Sequence, residues 1–145
     1  MYKNTIIPQF SDLDGLRHVN NNIIGRWFEF GRNELFKFFT PNLEVNHKTW
    51  KLIMLKSEYD FLDQIYYGQD VEILTYILHI GNTSFIIGNE AWQDGKLKAK
   101  GKAVIVHYDY IEECKMPIPE DIKNELSKHL IKEEDIGKIY KANVE

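Results

Sequence analysis

Between Asp12 and Asn22 the chain reads DLDGLRHVNNN, and here its residue types are best suited to chemistry. Two carboxylates, a guanidinium, an imidazole and three amides crowd together with one glycine. Asp14 offers a carboxylate that can act as a nucleophile or take a proton from water. Its alternative role is local, because aspartates ahead of helices often cap the loop or the helix. His18 offers an imidazole that can polarise, orient or act as a base; equally, it can pin the loop by hydrogen bonds. Directly behind lies IIGRWFEFGRNELFKFF, a helical run whose first turn leaves backbone N–H groups unpaired at the positive end of the dipole. The amides near Asn20, Asn21 and Asn22 are thus ready donors to an anionic oxygen, while their side chains read as caps and loop ties.

Other chemistries leave no such mark. There is no G-x-S-x-G, H-E-x-x-H, P-loop or Gly-rich dinucleotide fingerprint. His47, His79, His107 and His129 lack metal-ligand spacing, and Cys114 stands alone, so no metal site and no disulfide framework are expected. A net charge of −4 argues against nucleic acid as a partner. No apolar stretch approaches the roughly 20 residues that span a bilayer, and MYKNTIIPQF does not read as a signal peptide. The expected setting is the cytoplasm, without membrane contact.

The elements that must position the loop follow from periodicity. Tyr2–Gln9 reads as a strand. From Asn21 to Phe39, apolar residues recur at Ile24, Trp27 or Phe28, Gly31, Leu35 and Phe38, which is helical spacing, and Thr40-Pro41-Asn42 stops the helix. Gly31 on that face lets a sheet approach closely. Thr49–Phe61 is a second strand, Val71–Ile80 a central one, and Ser84–Gln93 follows the Gly81-Asn82 turn. After Asp94-Gly95, KLKAKGKAVIVHY alternates Lys96, Lys98, Lys100 and Lys102 with small residues. Pro117 and Pro119 open a helix running to about Leu130. One domain over residues 1–145 is expected, with a core of about 2–130 and a charged extension, 131–145, that contains another short helix. The order predicts an α+β layer in which an antiparallel sheet of five to six strands wraps one long helix.

FSDLDGLRHVNN, with Phe28, Glu29 and Arg32 at their spacing, resembles the hotdog-fold acyl-CoA thioesterases of the 4-hydroxybenzoyl-CoA thioesterase type, and also the loop of acyl-ACP thioesterases. GNTSFIIGNEAWQDGKLKAKGKAVIV resembles that family's strand pair, and MPIPEDIKNEL its C-terminal helix start. The resemblance implies hydrolysis of a thioester to a carboxylic acid and coenzyme A, in a homodimer or homotetramer with active sites at the subunit interface. It implies no metal or organic cofactor. It assigns Asp14 as nucleophile or general base, His18 beside it, and a helix-start amide among Asn20, Asn21 and Asn22 as oxyanion donor. Arg17 stands where the family commonly has glycine, Ile24 where an aromatic is common, and Leu16 where the acyl-ACP enzymes carry asparagine.

Supporting positions follow from the same likeness. Glu58 falls where acyl-ACP thioesterases carry a strand glutamate, although it reads better as an outward-facing strand residue; Ser84 matches a strand hydroxyl near the site, and Glu29 matches the helix glutamate. Glu29 also has Arg32 one turn on as an ion-pair partner. Trp27, Phe28 and Ile24 would flank the acyl group, although they are equally explained as core, and Lys96, Lys98 and Lys100 would meet coenzyme A phosphates unless they form a solvated face or guard a sheet edge. Two alternatives remain: an acyl-ACP thioesterase using Asp14, His18 and Glu58, and a non-catalytic hotdog protein that binds an acyl ligand.

Overall fold

The computed structural model describes residues 1–142. Strand β1 spans Tyr2–Ile6, helix α1 Asn21–Phe36, and β2 Leu52–Phe61. Then come β3 Val71–Ile80, β4 Ser84–Gln93, β5 Lys96–Asp109 and β6 Cys114–Lys115, and finally α2 Glu120–Ser127 and α3 Ile139–Ala142. The sheet is antiparallel in the order β1-β3-β4-β5-β2, with two-residue β6 added beside β5.

The sheet bends around α1 because its ladders carry extra residues. The register slips at Leu55 in β2, at Leu78 in β3 and at Lys98 in β5, and each bulge adds twist and a bend. Close contact needs small residues under the helix, as the sequence suggested. A side chain at Gly31 would collide with Thr75 Oγ1 (2.5 Å), and one at Gly101 would crowd the Phe28 ring (3.0 Å). Ile24, Trp27, Phe28, Leu35 and Phe36 fill the space between helix and sheet.

The strands β3 and β4 coincide with their expected bounds, and other ends differ for identifiable reasons. β2 begins at Leu52, not Thr49, because Asn46 Oδ1 captures the amides of Lys48 and Thr49 in a turn. α1 stops at Phe36 as its end tightens into i→i+3 bonds, Phe38 N to Leu35 O and Phe39 N to Phe36 O. α2 stops at Ser127, after which Ile77 and the His129–Ile131 stretch exchange backbone hydrogen bonds. The expected helix in the charged extension is seen as α3; Asn143, Val144 and Glu145 lie outside the described residues.

The lysine row is not the regular face its alternation suggested. At the β5 bulge Ala91 pairs with Ala99 and Trp92 with Leu97, so Lys98 is the extra residue and is buried. On the sheet face away from α1, residues 131–140 lie over Leu74, Tyr76 and Trp92. Tyr140 stacks on Trp92 at 4.6 Å.

Candidate active site

The loop before α1 folds as a small hairpin. Asn20 N donates to Asp12 O (2.8 Å), Leu13 and Val19 form an antiparallel bridge, and Asp14 N donates to His18 O (2.9 Å). Arg17 N returns to Asp14 O at 3.2 Å, closing a turn in which Arg17 takes φ 65°. This is the hairpin connection that ends in a left-handed residue, a position suited to glycine.

Asp14 serves this turn with one oxygen. Its Oδ1 accepts from Leu16 N (2.8 Å) and more weakly from His18 N (3.3 Å). Oδ2 has no partner among the described residues, and the side chain is exposed. Both readings of Asp14 are therefore compatible in one residue: the oxygen that caps the loop also fixes the direction of the one that is open. His18 is half-buried, its ring set edge-on to Tyr66 at 5.4 Å, with no hydrogen bond to Asp14 from the ring.

The helix start sorts its amides. Asn20 is the N-cap, its Oδ1 accepting from Asn22 N at 3.0 Å, while its carbonyl accepts from Ile23 N at 2.9 Å. Asn20 N is spent on Asp12 O. The Asn21 amide alone of these carries no acceptor among the described residues. Of the asparagine side chains only Asn20 is a cap, whereas Asn21 and Asn22 are exposed and neither caps nor ties the loop among the described residues.

Two residues that sequence reasoning passed over hold this arrangement. Val19 N donates to Ile65 O (2.8 Å), and His18 forms an isolated bridge with Tyr66. Buried Gln93 then clamps Tyr66, accepting from its amide (2.9 Å) and donating to its carbonyl (2.8 Å). The Tyr66-Tyr67-Gly68 run hints at a turn, but nothing in sequence ties it to residue 93. Lys98 extends its ammonium to Asp63 Oδ2 (2.7 Å) and lies 5.6 Å from the Tyr66 ring centroid. That hydrogen bond, with a second from the Gln64 amide, holds the Asp63 carboxyl below its usual range. A groove of about 490 Å³ opens here, lined by Tyr66, Tyr67, Gln93, Lys96 and Lys98.

Other expected site residues are distributed differently. Glu58 pairs with Lys102 across the strands on the face opposite α1, 3.2 Å from Lys56, and does not meet Asp14. Ser84 neighbours inward-facing Phe85 at the end of the sheet under the helix C-terminus, where Phe39 stacks on Phe85. Lys100 faces Asp60 at 3.9 Å, and Lys96 is exposed without an ion pair among the described residues. Trp27 is buried and opens on the β1 side of α1, beside Ile6 and Phe30. The Glu29–Arg32 pair does not form: Arg32 turns inward to 1% exposure while Glu29 stays in solvent. Among the described residues no group of three or more His, Cys, Asp or Glu side chains is placed to hold a metal ion, and no helix is long and apolar enough to cross a membrane.

A helix wrapped by an antiparallel sheet, with this loop at the helix start, defines a hotdog domain of the thioesterase type. The model of the Thioesterase-like superfamily matches residues 8–126, and the chain belongs to that superfamily. A structure described as a predicted thioesterase from Bacillus stearothermophilus is 41% identical, with a TM-score of 0.86 over 90% of this chain and 97% of that one. A thioesterase from Thermus thermophilus, solved with coenzyme A and Zn, is 27% identical, with a TM-score of 0.75 over 87% of this chain and 91% of that one. No curated protein matches the chain.

Proposed function

We propose that this protein is an acyl-CoA thioesterase in which Asp14 and the Asn21 amide act on one thioester carbonyl. The observation that carries the reading is the division of labour at Asp14: Oδ1 is tied to the hairpin, and Oδ2 is open among the described residues. Attack by Oδ2 on the carbonyl carbon forms a mixed anhydride, breaks the C–S bond and releases coenzyme A thiolate, which takes a proton from solvent. Water then hydrolyses the anhydride and regenerates Asp14. Alternatively, Asp14 takes a proton from water as the hydroxide attacks, with the same products. In either route the Asn21 N–H receives the developing oxyanion. His18 orients the loop against Tyr66 and the carbonyl within it.

Coenzyme A bound to the Thermus relative supports that carrier. The groove past Tyr66 suits its phosphates, with Lys96 as the available cation and Lys98 committed to Asp63. Glu58, on the far face of the sheet, gives no support to an acyl-ACP mechanism built on Asp14, His18 and Glu58. No metal or organic cofactor enters this scheme. The working form we propose is a homodimer at least, with each open helix start completed by the other copy.

The test follows thiol release from a panel of acyl-CoAs. Asp14→Asn keeps an oxygen for the Leu16 and His18 amides but loses the charge, and turnover is expected to fall by about 10²–10⁴, the range for a positioned acid or base. Wild-type rates in this variant overturn the assignment. Tight acyl-CoA binding without turnover by the wild type would instead indicate a non-catalytic ligand-binding protein.

A further inference from the structure

Arg32 is 1% exposed and has no carboxylate partner among the described residues. Its Nε donates to Asn89 Oδ1 at 3.3 Å, but Asn89 is neutral and its own amide is spent on Leu74 O and Thr75 Oγ1. Nη2 is buried without an acceptor. A guanidinium cannot shed its proton to relieve this, and a desolvated charge calls for an anion.

The cavity that Arg32 lines begins at the helix-start amide. One hollow of about 260 Å³ between α1 and β2 is lined by Asn21, Gly25, Arg32 and Tyr59. Positions 21, 25 and 32 fall on one face of α1, because four and seven residues are close to whole turns. Helical rise sets Arg32 about 16 Å along the axis from Asn21, and a side chain on a helix leans back towards the N-terminus, which shortens that gap. Gly25 keeps the middle of the path open, since a Cβ there would lie 3.2 Å from the Tyr59 hydroxyl. Beyond Arg32 the groove continues against Phe36, Trp50, Leu52 and Ile105. Of the charged residues along it, Arg26 and Arg32 outnumber Glu29. Arg26 and Glu29 stand in solvent, where their fields are screened, whereas the buried Arg32 charge is not.

We propose that the acyl group taken by this site ends in a carboxylate bound by Arg32, so that the substrate class is the coenzyme A half-thioester of a dicarboxylic acid. The inference rests on the hydrolase reading for the carbonyl at Asn21 and adds the recognition of the far end. With that carbonyl on the Asn21 amide, the chain runs down the α1 face past Gly25 towards the guanidinium. Its terminal carboxylate supplies both the missing acceptor and the missing charge, in the paired geometry that a guanidinium favours. A methyl-ended chain of the same length fills the groove but leaves Arg32 as unpartnered as before. Water then cleaves the thioester to coenzyme A and the free dicarboxylic acid.

Matched pairs of acyl-CoAs test the assignment: succinyl against butyryl, adipoyl against hexanoyl, suberoyl against octanoyl, and sebacoyl against decanoyl. Calorimetry on Asp14→Asn reads affinity, and thiol release from the wild type reads turnover. At the best-fitting length the carboxylate-ended member is expected to bind about 10–100-fold more tightly, the range for a hydrogen bond to a charged group, with kcat/KM following. Arg32→Met, combined with Asp14→Asn, is expected to remove the preference, and Arg32→Lys, which keeps the charge without the fork, to retain part of it. Equal affinity within every pair overturns the proposal, and so does a preference that survives Arg32→Met. If Arg32→Met does not fold, the pairs measured on Asp14→Asn alone decide. A carboxylate preference in binding without wild-type turnover upholds the role of Arg32 and overturns the hydrolase reading, whereas turnover without preference does the reverse.

Discussion

Asn20 caps Asn22: Oδ1 of the first accepts the amide of the second at 3.0 Å. By occupying that donor, with Ile23 N already on the Asn20 carbonyl, this contact leaves Asn21 as the helix-start amide open to a ligand. A helix N-terminus offers several donors in principle. Here the cap reduces the choice to one.

That selection can be tested by removing the amide itself. Asn21 is the first helical residue, where proline is well tolerated. Asn20, at φ −62° and ψ 131°, already has the extended conformation that a following proline demands. Asn21→Pro is therefore expected to keep the fold and to lower kcat by about 10²–10³, the cost of one oxyanion donor. Asn21→Ala keeps the amide and should retain nearly wild-type turnover. Thiol-release kinetics alongside thermal melts check both, and equal activity in the two variants would remove Asn21 from the mechanism.

Arg17 takes φ 65° in the turn that presents Asp14. A left-handed backbone costs an L-residue about 1–2 kcal/mol, partly offset in a glycine variant by the greater freedom of its unfolded chain. Arg17→Gly is expected to raise stability by about 0.5–1 kcal/mol, a few degrees in Tm at this chain length. Arg17→Ala removes the charge but keeps the strain, so it should bring no comparable gain. If alanine stabilises as much as glycine, the backbone is not the cause.

How much of this was legible depended on the distance over which each interaction acts. The loop, the long helix, and strands β3 and β4 were visible because local periodicity and turn residues define them; Asp94 and Gly95 even take the positive φ, 52° and 68°, that such a hairpin turn needs. The lysine row misled because alternation assumes a continuous ladder, and the bulge at Lys98 is set by pairing with β4. Arg32 and Glu29 have ion-pair spacing, yet the opening beside Asn89 draws one side chain inward and leaves the other outside. Gln93 and Tyr66 could not be linked from sequence, since their hydrogen bonds join segments 27 residues apart.

The Asp63–Lys98 contact predicts an acid-sensitive contribution beside the Tyr66 groove. Asp63 has its carboxyl lowered by Lys98 and by the Gln64 amide. A depressed carboxyl stabilises the fold above its unfolded value of about 3.9, and that contribution is lost as pH falls through the lower folded value. Asp63→Asn is expected to be less stable than wild type at pH 6, where it leaves the buried Lys98 ammonium without its anion. The difference should close as pH drops below about 3.9. Urea midpoints from pH 6 down to the acid limit measure it, and a pH-independent gap would mean that the ion pair is not its source.

On the opposite face, Glu90 holds the C-terminal segment. Fully buried, it accepts from Tyr76 Oη (2.9 Å), Trp92 Nε1 (2.7 Å) and Gly137 N (2.6 Å). Burial, reinforced by this carboxylate, pushes the Tyr76 phenol well above its ordinary value, so it remains a donor. In Glu90→Gln the amide faces Trp92 Nε1 if it replaces Oε2, and Tyr76 Oη with Gly137 N if it replaces Oε1; in the second orientation the hydroxyl can turn to accept, which leaves Gly137 N as the frustrated donor. The expected cost is about 1–3 kcal/mol for a buried group left unsatisfied. It should be concentrated where residues 131–140 meet β3 and β4, because Gly137 is the donor that can withdraw most readily with its segment. Hydrogen exchange should therefore accelerate over residues 133–140 while the amides of α1 stay protected. Uniform acceleration across the fold would show instead that Glu90 stabilises the sheet as a whole and does not specifically retain that segment.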